Sequence, residues 1–387
     1  MKKLLLILLL IATPCYAEQF FSIEDNTWYR EVPSSPTLAT TSANIISFMA
    51  GYYTNILGYN YTSPDDWGVT LWYAAVDDPL VNTFQPYCNS TVRDTQCNEI
   101  PLPAAARSAC NNLRCTGSYA DNHMIIINYA QTYAWDFYQV AYCEDNSEAG
   151  GDDDNICEAG ETCEWRFGGN ARVRRWDLVN DDGINQPNDG LGSLRAATGS
   201  LLCGLVTYNE VVVDGVIDHA IAMYTRERYP SISGAVELYM GKNGWYPTKP
   251  NTEYYPNYPN TYGLQLGMRL QLKSVFDCEA LTTDFRKIIC RALKTYGMIY
   301  VDSTDPTSGG HGIYLENLAY DASRTWTGIS PNSTDLGMDI SDFDVVKPVC
   351  SDAYWCPDNL LDPLGVPPPL PFRIGGGASM GGGAKIQ

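Results

Sequence analysis

The sequence predicts a mostly-β protein: a jelly-roll-like β-sandwich with a few peripheral helices, stapled by disulfides. Three observations point there. The chain is rich in aromatic strand formers and in turn formers, with 27 Tyr, 9 Trp, 33 Gly and 23 Pro in 387 residues. Several segments alternate apolar and polar residues, the pattern of a half-buried strand. Of the 13 cysteines, 12 remain once residues 1–17 are set aside, an even set of the kind that staples exported domains.

Taken in order, residues 1–17 read as a secretory signal peptide. Lys2 and Lys3 form its basic start, residues 4–11 its apolar run, and Cys15, Tyr16 and Ala17 its small-residue cleavage site. That run is too short to cross a bilayer, and no later stretch is long and apolar enough, so the expectation is an exported protein that is not integral to a membrane. Residues 18–356 read as a single large β-sandwich domain, with a Cys-rich acidic insert at 143–163 and a Pro/Gly-rich tail at 357–387.

Within the domain, a helix is expected near 41–50, where Ser42 or Asn44 can cap Ile45, Ile46 and Met49. Residues 67–75 read as a strand and 84–120 as a loop region with close cysteine pairs. The clearest hairpin joins 123–129 to 133–142 through Ala130, Gln131 and Thr132. Its second strand sets Tyr133, Trp135, Phe137 and Gln139 on one face, expected in the core. Asp136, Tyr138 and Tyr142 fall on the other, expected to be a polar, aromatic surface. Thr207 and Glu210 fit a capping box for a short helix over 208–214, ended by Gly215. Strands are expected at 216–225, 264–273 and 298–302. Between the last two, Phe285, Ile288, Ile289, Ala292 and Leu293 mark an amphipathic helix that Gly297 stops. Cys278 and Cys290 are among the close cysteine pairs.

With 25 basic against 45 acidic residues, the chain lacks the positive footprint that nucleic acid or an anionic membrane surface demands. Its aromatics suit polysaccharide instead, because Tyr and Trp faces stack on the C–H faces of sugars. Trp245, Tyr246 and Tyr254 lie in a Pro- and Asn-rich loop, and Tyr138 on the hairpin. Glycoside hydrolysis needs two carboxylates, and Asp136 and Glu210 are the chosen pair, with His123 and His219 orienting them or moving protons. The plainer alternatives are solvated carboxylates and hydrogen-bonded core histidines. Asp152, Asp154, Glu158 and Glu161 supply hard oxygen ligands for a structural calcium, against a simple solvated acidic turn.

Pieces between 26 and 345 resemble a family of exported, mostly-β bacterial proteins. They are NTWYREVP, DNHMIII with WDFYQ, RWDL, SLRAATGSLLCGLV, VIDHAIAM, GLQLGMRLQL and ALKTYGMIYVDS. The resemblance implies shared positions at His123, His219, Glu210 and the 195–204 stretch, and work in an extracellular polymer environment. It carries no reaction with it. The expected function is a secreted carbohydrate-active protein, with glycoside hydrolysis first. The alternatives are a glycan-binding or cell-surface structural protein stabilised by calcium, and a polysaccharide lyase with a His or Tyr base and Arg195 on the substrate.

Overall fold

Two buried rows of side chains on each hairpin strand, rather than one, set the architecture. In the computed structural model the described residues are 20–22, 27–39, 42–52, 56–59, 68–83, 99–108, 122–144, 163–181, 183, 199–225, 264, 267–303, 310–327 and 335–347. Residues 1–17 expected to be a signal peptide, the 245–262 aromatic stretch, the body of the acidic insert and residues 357–387 lie outside them.

Two α-helices are described, α1 (Ser42–Tyr52) and α2 (Asp284–Thr295). The strands are β1 (Leu57–Tyr59), β2 (Val69–Tyr73), β3 (Leu80–Val81), β4 (Ile100–Pro101), β5 (His123–Asn128) and β6 (Tyr133–Glu144). They continue with β7 (Cys163–Asp177), β8 (Ile221–Thr225), β9 (Arg269–Leu272), β10 (Met298–Ser303), β11 (His311–Ile313) and β12 (Phe343–Val346). One sheet has six strands in the order β1-β11-β8-β10-β9-β12, a second has four in the order β2-β5-β6-β7, and β3 pairs with β4 alone. The mostly-β expectation holds among these residues. The pairings β1/β11, β8/β10 and β2/β5 are parallel. A jelly roll is built from antiparallel Greek keys, so these crossovers give the sandwich a different connection pattern.

The two large sheets face each other. Val69, Leu71, Ile125, Ile127, Ala134 and Trp176 from the smaller sheet share one apolar cluster with Ala222, Ile299 and Val301 from the larger. On the far side of the larger sheet, Leu270, Met298, Tyr300 and Phe343 pack against Ile45 and Met49 of α1 and Phe285, Ile289 and Leu293 of α2. On the far side of the smaller sheet, Met124, Ile126, Trp135 and Phe137 are covered by Ile100, Leu102 and Ala106. Each large sheet is therefore buried on both faces. That overturns the expectation that the Asp136 face of the hairpin meets solvent.

Local signals explain most elements. Thr283 caps α2 by accepting from the Arg286 N–H at 3.3 Å, and the Cys278–Cys290 disulfide ties the helix to the turn before it. Ser42 opens α1, but its hydroxyl accepts from the Val345 N–H at 2.8 Å and so fastens the helix to β12. Residues 209–214 form a π-helical turn, ended by Gly215 in the left-handed region at φ 71°. At Gln139 the φ of 54° and a register shift mark a β-bulge in β6. The bulge returns Val140, an even-numbered residue, to the row of Trp135 and Phe137. Gly204 has no room for a side chain: a Cβ there would lie 2.3 Å from the Trp28 ring and 2.7 Å from the Ala222 nitrogen.

Candidate functional site

Asp136 points between the two sheets. Its Oδ2 accepts hydrogen bonds from Trp176 Nε1 at 3.0 Å and from Ser200 Oγ at 2.9 Å, while its Oδ1 receives none among the described residues. The Arg174 guanidinium stacks over the Trp176 ring at 4.0 Å. Burial pushes the carboxyl up to about 6, against the pull of Ser200, Trp176 and Arg174 toward ionisation. His123 lies one strand away, its ring 5.2 Å from that of Tyr138, its opposite number on β6. Tyr138 is half-buried and accepts from Gln139 Nε2 at 3.3 Å, so it belongs to the interior and not to an open sugar platform. His123, Asp136, Ile125 and Leu201 line a narrow void of about 10 Å³. That is below the roughly 300–1,000 Å³ of ordinary small-molecule sites.

Glu210 and His219 form a second buried group. The capping box places Glu210: its Oε2 accepts from both the N–H and the hydroxyl of Thr207, each at 2.9 Å. Its Oε1 lies 2.8 Å from His219 Nε2, off the axis of a good hydrogen bond. His219 Nδ1 lies 2.8 Å from the Ala220 carbonyl oxygen. That acceptor requires Nδ1 to carry a proton. Burial opposes charge on this imidazole, but the Glu210 carboxylate outweighs it and raises its pKa. His219 sits in a bend before β8 instead of on the expected strand face. Tyr29 completes the group, edge-on to the His219 ring at 6.4 Å. Its phenol is held well above the usual range by burial, with Cys203 and Glu210 adding to the shift.

The four residues expected to be catalytic therefore fall into two pairs. No hydrogen bond or ion pair joins Asp136 to Glu210 or His219. Ser200 and Thr207, on one connecting stretch, each serve one pair. His123, Asp136, Glu210 and His219 are 5, 4, 0 and 2% exposed. A polysaccharide cannot reach groups so placed without rearrangement of the sheets. The third histidine follows the core pattern too: His311 bridges Thr225 Oγ1 and the Met49 carbonyl, and burial pushes its pKa down to about 4.

Sequence reading missed Ser200, Trp176, Tyr29 and the Glu316–Arg324 pair. Glu316 is buried, bonded to Arg324 Nη1 at 2.7 Å, and its Oε2 accepts from the Tyr208 N–H at 2.8 Å. The lone acid in an otherwise apolar run, GIYLENL, was the available signal. A buried carboxylate must find a cation or several donors.

Exposed aromatic surface lies elsewhere. Tyr73 at the end of β2 and Tyr129, just past β5, stack at 5.9 Å with an interplanar angle of 24°. They are 38% and 50% exposed. Arg195, Trp245, Tyr246 and Tyr254, and the calcium candidates Asp152, Asp154, Glu158 and Glu161, lie outside the described residues. No group of three or more His, Cys, Asp or Glu among the described residues is arranged to hold a metal ion. Likewise, no described helix is long and apolar enough to cross a membrane. No protein-family model, curated protein or solved structure matches the chain.

Proposed function

We propose that this is an exported protein that binds polysaccharide through exposed tyrosines and does not cleave it. The observation that carries the reading is the Tyr73–Tyr129 pair. Two near-parallel rings, both open to solvent, end the rows of side chains that begin with buried Val69, Leu71, Ile125 and Ile127. The buried part of each row fixes the backbone under the rings, which lowers the ordering cost of gripping a sugar. Sealed catalytic candidates support binding over hydrolysis. The signal-like residues 1–17, the Cys278–Cys290 disulfide and the acidic composition support export. Calcium at 152–161, and sugar contact by Trp245, Tyr246, Tyr254 and Arg195, belong to the same reading on sequence grounds alone.

Affinity electrophoresis against a panel of neutral and acidic polysaccharides tests it. At least one polymer is expected to retard the protein, and a Tyr73→Ala/Tyr129→Ala variant to bind about tenfold more weakly, from roughly 1.4 kcal/mol of lost stacking. Equal retardation of the double variant, or none for the parent, rejects the platform.

Glycoside hydrolysis is the second reading, and it rests on Asp136. A carboxyl lifted to about 6 has the character of a general acid. Release of reducing ends by the parent, lost in Asp136→Asn, would replace binding by catalysis.

A further inference from the structure

We propose that the cleft between the 34–38 segment and the 271–275 stretch binds the carboxylate-bearing ring of an acidic saccharide, a uronate. This cleft belongs to the larger sheet, apart from the Tyr73–Tyr129 pair on the smaller one, and stands independently of it. It encloses about 450 Å³, inside the range of small-ligand sites.

The chain carries 45 acids and 25 lysines and arginines, and the cations of the described residues divide between carboxylate and backbone partners. Lys287, Arg291 and Arg324 all meet carboxylates. Lys273 and Lys294, which both line the cleft, have no carboxylate within 4.0 Å among the described residues. Backbone carbonyls hold them instead. Lys273 Nζ donates to Ser341 O at 2.7 Å, and Lys294 Nζ donates to Ser274 O at 2.9 Å and Phe276 O at 2.8 Å. An ammonium has three N–H groups, so both lysines keep donors to spare in positions already fixed.

Acceptors sit beside these cations. Gln271 and Asp344 are register partners on β9 and β12, which puts their side chains on one face. Gln271 Nε2 donates to Lys294 O at 2.7 Å, which leaves its side-chain carbonyl as a spare acceptor. Pro36, Leu38 and Val275 supply apolar wall. Cations for a carboxylate, acceptors for hydroxyls and a C–H-compatible wall are together the recognition chemistry of a uronate. Inorganic phosphate fits less well, because the Asp344 carboxylate would face it with like charge. A neutral hexose would leave the ammonium pair unanswered.

Isothermal titration of the full chain with glucuronate and galacturonate, against glucose, acetate and inorganic phosphate, tests this. Both uronates, or one, are expected to bind at least tenfold tighter than the three controls. Lys273→Gln is expected to lose about tenfold in uronate affinity with an unchanged melting temperature, while Tyr73→Ala/Tyr129→Ala keeps it. Should Lys273→Gln fail to fold, Leu38→Asp gives the same loss by placing a negative charge on the wall. The proposal is overturned by no uronate binding, by equal binding of glucose, acetate or phosphate, or by full affinity in the folded cleft variant.

Discussion

Asp136 shows how one buried group can be read from its partners. Its folded-state value of about 6 stands above the ordinary 3.8. The protonated form thus prefers the folded protein. Its stabilising contribution is complete below about pH 3.8 and is lost as pH rises through about 6, a swing of about 3 kcal/mol. Asp136→Asn removes the titration. Between pH 4 and pH 7 the urea midpoint of the parent is expected to fall relative to that of the variant, in which the opposite drift from His311 is left. A parallel fall in both would assign the slope to other groups. The sequence made Asp136 visible as a polar residue on a strand, but not as buried, because alternation tells which residues share a face and not what covers it. Its partners Trp176 and Ser200 lie 40 and 64 residues away.

Elements were legible where capping and periodicity agreed. In α2, Thr283 at the start, Gly297 past the end and an apolar stripe between them all specified one helix. The 207–215 turn was legible for the same reason, and there the capping residue also serves the buried carboxylate. Thr207→Ala is expected to cost about 1–3 kcal/mol, because Glu210 Oε2 loses the hydroxyl donor at 2.9 Å while the carboxylate is fully buried. Thr207→Ser should restore most of the loss in thermal unfolding. Equal stability of the alanine variant would mean that the cap carries no weight. The expected 216–225 strand was too long because Ile217 and His219 continue an alternating pattern, while the chain there bends to bring His219 to Glu210. Local pattern gave no sign of that tertiary demand.

At the scale of the molecule, the buried histidines pull in opposite directions: His311, lowered to about 4 by burial, adds stability as pH rises from about 4 to 6.5. His219, like Asp136, has a raised folded-state pKa, so its contribution is present below about pH 6.5 and lost as pH climbs past its folded value. Asp177 and Asp321 act oppositely, with lowered values, but their window lies below 3.8. A formal charge of −20 adds self-repulsion toward neutral pH. Above about pH 6.5, where His311 no longer titrates, the melting temperature is therefore expected to decline toward pH 8.5, and Glu210→Gln to flatten that decline. A melting temperature that climbs between pH 6.5 and pH 8.5 would contradict the His219 assignment.

The order of strands bears on when folding can finish. β1 waits for β11, more than 250 residues later, and β9 waits for β12 near residue 346. Until those late segments emerge from the ribosome, the larger sheet has gaps and open edges, and contacts so distant in sequence form slowly. The smaller sheet, complete by residue 177, can therefore form long before the larger one, which closes only when nearly all of the chain has been made.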